Sequence, residues 1–248
     1  MIIFDKFPKT RSDLPLEYVE ISKINYKENR ERKAFFHSLS KKAESWAHMQ
    51  AVKDMNGKRT IKSTLEIGAG TLNHLPYEAE NNEYDIVEPQ QQLYENSRFL
   101  NRIRKIYSDI NEIPLEQRYD QIISFYCFEH ICNLPEVVAR CGLLLNNNGK
   151  LKVGIPSEGT FLWNVAWRLT TGLEFRIRHG LDLGVIMKNE HINTAKEIEN
   201  VLRYFFNVIH TQVFGISKSI SLYQFYSCSS PHEERCIKYR DQLDNSRH

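Results

Sequence analysis

TLEIGAGTLNHLPYEAENNEYDIVEP, residues 64–89, decides how the chain is read. An apolar strand-like run passes into Gly68 and Gly70, and a second run, EYDIV, ends on Glu88. Glycines directly after a buried strand suit a backbone that lets a ligand come close, since a Cβ would block the approach. A carboxylate at the end of the next strand offers two acceptor oxygens. Pro76 interrupts the connection between them, so the helix expected there is short or irregular.

Outward from this stretch the chain alternates. Strand-like runs at 61–67, 83–88, 104–109, 119–126 and 149–155 are interleaved with helical patterns at 90–103 and 133–145. That alternation predicts an α/β fold with a doubly wound, Rossmann-like and mostly parallel sheet. Asn133 with Glu136 suits a capping box, and NNNG at 146–149 suits a stop. Thr194 and Glu197 open another capped helix. Runs at 207–214 and 220–228, joined by a turn containing Gly215, then predict a C-terminal antiparallel hairpin. Ahead of the sheet, Phe36, Leu39, Ala43, Trp46 and Ala47 make one apolar stripe in a helix spanning about Glu28 to Val52 and ended by Asn56-Gly57. The expected organisation is an N-terminal helical cap at 1–59, the sheet domain at 60–229 with a lid at 156–192, and a polar tail at 230–248.

The 248 residues suffice for one large domain, and 41% apolar with 26% charged residues is an ordinary globular balance. A net charge of +2 argues against a nucleic-acid partner, although the first 60 residues carry 13 Lys/Arg against 8 Asp/Glu. The five cysteines show no paired spacing, which excludes a disulfide framework or a CxxC zinc site. The start, MIIFDKFPKTRSD, lacks a long apolar run, so neither a signal peptide nor a membrane span is expected, and a cytoplasmic location is. A homodimer is compatible with this composition.

The glycine turn does not read as a dinucleotide fingerprint, because Asn73 stands at the third glycine position of G-x-G-x-x-G and a hairpin replaces the second half of such a fold. Instead E-x-G-x-G after the first strand, Glu88 after the second, Ser108-Asp109-Ile110 after the third and the block YDQIISFYCFEHICNLPEVVARCGLLLNNNGKLKVGIPS together resemble the class I S-adenosylmethionine-dependent methyltransferases, over residues 60 to 229. The resemblance implies an enzyme that uses S-adenosylmethionine. Glu66, Gly68 and Gly70 would surround the methionine portion, and Glu88 would hold the ribose hydroxyls. Asp109 and the Ile110 amide would meet adenine, and Ser124 and Phe125 would lie beneath the sulfonium. Each residue also has a plainer use: the glycines in a tight turn, Glu88 as a helix cap, Asp109 in an ordinary loop. Leu72 departs from the third glycine that many members carry.

Methylating a hydroxyl requires a base, and histidine titrates near working pH. His191, in KNEHINTA, and His130, in FEHI, are the two candidates, with a structural role the alternative for each. FEHI also resembles quinone-pathway methyltransferases that bind metal through E-x-x-E-H. Tyr126 replaces the first acid, leaving two donors, so no metal is expected. In the lid, Trp163 and Trp167 lie four residues apart and suit a sugar or flat ring, while Arg178 with Arg168, Arg176, His179 and Lys188 suits an anionic group. The stretch 172–198 is similar to methyltransferases found with bacterial surface-polysaccharide enzymes. That favours O-methylation of a sugar or glycan precursor. The alternatives are a quinone, lipid or amine acceptor, and a non-catalytic scaffold that binds the cofactor.

Overall fold

A computed structural model describes residues 4–19, 21, 35–53 and 61–246. Seven strands form one sheet: β1 (Ser63–Ile67), β2 (Glu83–Val87), β3 (Lys105–Tyr107), β4 (Tyr119–Phe125), β5 (Leu145–Pro156), β6 (Phe206–Ser217) and β7 (Ile220–Pro231). Their order is β3-β2-β1-β4-β5-β7-β6. The first five run parallel, and β7 lies antiparallel to both β5 and β6. The expected sheet is therefore the observed one.

The helices are α1 (Phe35–Lys53), α2 (Gln91–Tyr94), α3 (Leu134–Leu144), α4 (Phe161–Trp167), α5 (Leu173–His179), α6 (Leu183–Glu190), α7 (Ala195–Phe205) and α8 (Glu233–Ser246). Every residue of β1 is buried, as a parallel strand covered on both faces must be. Alternation along the strands sends Leu65, Ile67 and Ile122 into a core shared with Val138, Val201 and Leu202 of α3 and α7. It sends Ile86 and Ile123 to the other face, against Ala47 and Ala51 of α1. In α7, Ile198, Val201, Leu202 and Phe205 follow the i, i+3, i+4, i+7 pattern and are all buried, and Thr194 and Glu197 form the expected capping box. Lys152 of β5 is only 2% exposed; its Nζ donates to Ala51 O at 2.7 Å and Gln121 Oε1 at 2.9 Å.

Several expectations change. The helix expected over 90–103 shrinks to α2 and a 3-10 turn at Leu100–Arg102. The connection after β1 is irregular, as Pro76 implied, with a single 3-10 turn at Leu75–Tyr77 closed by Glu78 N on Leu75 O at 3.1 Å. Arg102 braces that turn, donating to Leu75 O at 2.8 Å and Glu78 O at 3.0 Å. Asn133 does not bond the backbone of its helix; its side chain donates to Glu136 instead. The expected hairpin extends to a Ser217–Ile220 pairing, with the irregularity at Gly215. The polar tail at 230–248 contains α8, whose Cys236 and Tyr239 are buried; Gly142 of α3 leaves the room, since a Cβ there would lie 2.8 Å from Cys236 Sγ. The beginning of the N-terminal helix and its Asn56-Gly57 end lie outside the described residues. Among the described residues no helix is long and apolar enough to cross a membrane.

Candidate active site

The ligand-binding edge of an open α/β sheet lies at the carboxyl ends of its parallel strands. There Gly68 and Gly70 hold left-handed backbone, at φ +70° and +51°. Gly68 is pressed against Cys127, whereas nothing lies within 4 Å of a Cβ built on Gly70, so that turn faces open space. Leu72 also sits at positive φ, 63°, and is fully buried; an apolar anchor here stands where a third glycine was expected. Glu88 is 6% exposed and accepts from Gly70 N at 2.9 Å and Gln90 N at 3.0 Å. Its carboxylate thus clamps the glycine turn to the start of α2, with lone pairs left over for hydroxyl donors.

Glu66 lies deeper. Tyr84 Oη donates to it at 2.7 Å, and burial, opposed by that bond and reinforced by Glu78 and Glu88, pushes its carboxyl up to about 8. Asp109 is exposed, accepts from Asn111 N at 2.7 Å, and caps the turn that carries the buried Ile110. The Ser124 and Phe125 side chains turn inward: Ser124 Oγ donates to Ile67 O at 3.0 Å, and Phe125 stacks on His74 at 4.9 Å. What these two offer the strand end is backbone. Tyr126, next in the chain, takes a left-handed conformation, φ 54°, with its ring edge-on to Tyr223 at 5.4 Å.

The structure brings His130 and His191 together, ring centroids 4.8 Å apart, although they are 61 positions apart in the sequence. Asn193 explains the meeting. Fully buried, it donates through Nδ2 to Phe128 O at 2.9 Å and Ile131 O at 2.7 Å, while its N–H donates to Glu129 O at 3.1 Å. The segment before α7 is thereby stitched to the turn after β4. The N-terminal segment straps across the same place, with Lys9 Nζ on Ile192 O at 2.7 Å and Arg11 on His130 O at 2.9 Å.

His191 Nδ1 lies 3.0 Å from Glu158 Oε2, and since a carboxylate only accepts, Nδ1 carries the proton and Nε2 keeps its lone pair. The same logic applies to His130, whose Nδ1 donates to Glu190 O at 2.9 Å. Burial alone would lower His191, but the Glu158 hydrogen bond and the charges of Glu129, Glu158 and Glu190 outweigh it and raise its pKa. Burial, helped by the charge of His191, pushes His130 down to about 4. Burial holds Glu129 up at about 7, and its Oε2 has no partner among the described residues. The donor atoms of Glu129, His130 and His191 all lie within 4.8 Å of one another, so the fold adds a third donor to the two adjacent in sequence.

His191 opens onto a cavity of about 570 Å³ lined also by Lys6, Thr10, Glu158, Asn164 and Lys188. Of the basic residues expected to meet an anionic acceptor, Lys188 is the one that lines it. Arg178 instead runs along α5 to Glu174 at 3.2 Å. The two tryptophans part company. Trp163 stands edge-on to Tyr223 at 5.6 Å, with its Nε1 buried and without a partner among the described residues, whereas Trp167 packs over Gly172 and Gly184 within the lid. Sequence reading missed Glu158, Asn193 and the N-terminal strap, none of which lies in a periodic pattern.

No protein-family model matches the chain, and no curated protein matches it. Solved structures do, at low identity. The plantazolicin methyltransferase BpumL, in complex with a triazolic desmethylPZN analog and SAH, is similar with TM-score 0.56 and 16% identity over 84% of this chain and 91% of that one. The N-methyltransferase NodS from Bradyrhizobium japonicum gives 0.52 and 12% over 77% and 97%. Phosphoethanolamine N-methyltransferase 2 from Haemonchus contortus, with S-adenosyl-L-methionine, gives 0.53 and 13% over 75% of this chain but only 52%, about half, of that longer one. The chain has the seven-stranded Rossmann-like methyltransferase fold.

Proposed function

We propose that this chain is an S-adenosylmethionine-dependent methyltransferase that methylates a hydroxyl of a sugar or glycan precursor, with His191 as the base. The carrying observation is the His191 ring, fixed through Nδ1 by Glu158 at 3.0 Å, at the wall of a polar cavity and beside Glu129 and His130. The glycine turn and Glu88 would take the methionine and ribose portions, and Asp109 and the Ile110 amide the adenine. The sulfonium would then sit over the β4 end, at Ser124 and Phe125.

Methyl transfer is an in-line displacement: the acceptor oxygen bonds the methyl carbon as the carbon–sulfur bond breaks, and the bond pair leaves with sulfur. Alignment supplies much of the rate, and His191 Nε2 takes the hydroxyl proton. Glu158 holds the ring in the right tautomer and stabilises the imidazolium that results. Glu129 and His130 close the other side, and Trp163 with Tyr223 and Tyr126 gives the acceptor an aromatic wall. The test is calorimetric titration of S-adenosylmethionine and S-adenosylhomocysteine into wild type and Glu88→Ala, followed by a mass-spectrometric acceptor screen. Micromolar binding lost in the variant, and sugars gaining one methyl, is the expected result. Unmethylated sugars beside a methylated amine or quinone would refute the acceptor, and no binding of either ligand would refute the enzyme.

A further inference from the structure

The lid carries a feature that methyl transfer does not use. Residues 161–179 run as one continuous helical segment, α4 and α5 joined by a π-turn at Arg168–Gly172. Leu169, Leu173 and Ile177 follow one another at four-residue steps and are 69%, 51% and 79% exposed, while Phe175 points inward. Exposed arginines, Arg168, Arg176 and Arg178, interleave with them, against one acid, Glu174, that Arg178 already pairs with. Nine large apolar side chains are exposed among the described residues, and three of them fall on this one segment. Single exposed leucines need no explanation, but a row of three at helical spacing, with arginines between them, marks a contact surface.

We infer that the lid docks on an anionic lipid surface, with Leu169, Leu173 and Ile177 entering the headgroup boundary and Arg168, Arg176 and Arg178 meeting lipid phosphates. Short aliphatic side chains interleaved with arginines on one helical segment are the pattern of an interfacial helix. An apolar partner surface alone would leave the excess positive charge unanswered, whereas a layer of anionic headgroups answers it and takes the aliphatic side chains between them. The acceptor cavity opens under this same lid, so the proposed enzyme would take its acceptor from a lipid carrier at the surface. That last point rests on the methyl-transfer reading; the docking does not.

Vesicle co-sedimentation without cofactor or acceptor tests it. Wild type is expected to sediment with phosphatidylcholine vesicles containing about one-third phosphatidylglycerol, and about 25-fold less with phosphatidylcholine alone, since Arg168 and Arg176 near an anionic surface contribute about fivefold each while Arg178 is paired with Glu174. The triple variant Leu169→Ser, Leu173→Ser, Ile177→Ser is expected to lose about tenfold or more, and Arg176→Glu about fivefold or more. Unchanged urea midpoints show that both variants fold. No binding to either vesicle, or undiminished binding by the triple variant, overturns the inference. So does a wild-type dimer in light scattering that the triple variant dissociates, which would make the stripe a contact between copies. Because no methyl is transferred in the assay, its failure is distinguishable from a failure of the enzyme reading.

Discussion

Alanine at Gly68 and alanine at Gly70 remove the same freedom from two neighbouring positions and are expected to fail differently. Both residues lie at positive φ, +70° and +51°, so alanine at either costs about 1–2 kcal/mol in backbone strain. At Gly68 the new Cβ would also meet Cys127 Sγ at 2.4 Å and Cys127 Cβ at 2.6 Å. Overpacking of that kind adds about 1–3 kcal/mol. Around Gly70 nothing lies within 4 Å, so no such addition arises. Urea unfolding should therefore show Gly68→Ala losing about 2–5 kcal/mol and Gly70→Ala only about 1–2 kcal/mol. Cys127→Gly removes the obstructing atoms, and the double variant should recover the overpacking part as a coupling energy of about 1–3 kcal/mol. Titration with S-adenosylhomocysteine should reverse the order, Gly70→Ala losing about tenfold or more because its Cβ enters the space a ligand would occupy. Equal destabilisation at the two positions, or no coupling between Gly68 and Cys127, would refute this account of the turn.

Four further outcomes follow from the acceptor side. His191 must be neutral to take a proton and its pKa is raised, so kcat should fall as pH drops through a value higher than that of an ordinary histidine; Glu158→Gln should move that fall to lower pH, and a profile unmoved by Glu158→Gln would remove Glu158 from its positioning role. Glu129 gains a proton on folding, with its pKa raised from 4.5 to about 7, so the stability it contributes is present in acid and lost as pH rises through that window. Glu129→Gln should flatten the chemical-denaturation profile there. Asn193→Ala breaks the two side-chain ties between the histidine segments, leaving its backbone N–H on Glu129 O, and should cost kcat about tenfold or more while S-adenosylhomocysteine affinity stays near wild type. Exhaustive chelation should leave methyl transfer unchanged; a rate lost on chelation and restored by a divalent cation would transfer the role of base to a metal held by Glu129, His130 and His191.

The sheet was legible because its evidence is local. The β1 run into its two glycines, the carboxylate closing β2, the capping box at Thr194 and the stripe Ile198, Val201, Leu202, Phe205 each declare themselves within a few residues. The glycine turn and Glu88 were legible for the same reason, and their hydrogen bond joins residues 18 positions apart. What failed to show was anything resting on distant partners. Periodicity over 90–103 promised a helix, but Arg102 near its end is bonded to the carbonyls of Leu75 and Glu78, 24 to 27 positions back in the sequence, a tie that no local pattern announces. The polar α8 read as a tail because its inward stripe is only Cys236, Tyr239 and Leu243, one apolar residue per turn among charged neighbours. Trp163 and Trp167 shared a spacing and not a fate, since the β7 ring of Tyr223 takes one and the lid glycines take the other. The pairing of His130 with His191 depends on Asn193, whose short polar side chain carries no periodic signal at all.

Buried Lys152 has a mechanical consequence. It grips the carbonyl of Ala51 near the C-terminal end of α1 and the side chain of Gln121 inside the sheet. One ammonium therefore ties together helix, central strand and β5. Burying it unpaired would cost several kcal/mol, so the helix end and the sheet are obliged to keep a fixed distance from each other. A methionine at 152 would keep the bulk and remove both bonds, leaving Ala51 O and Gln121 Oε1 to find other donors in a place with little water.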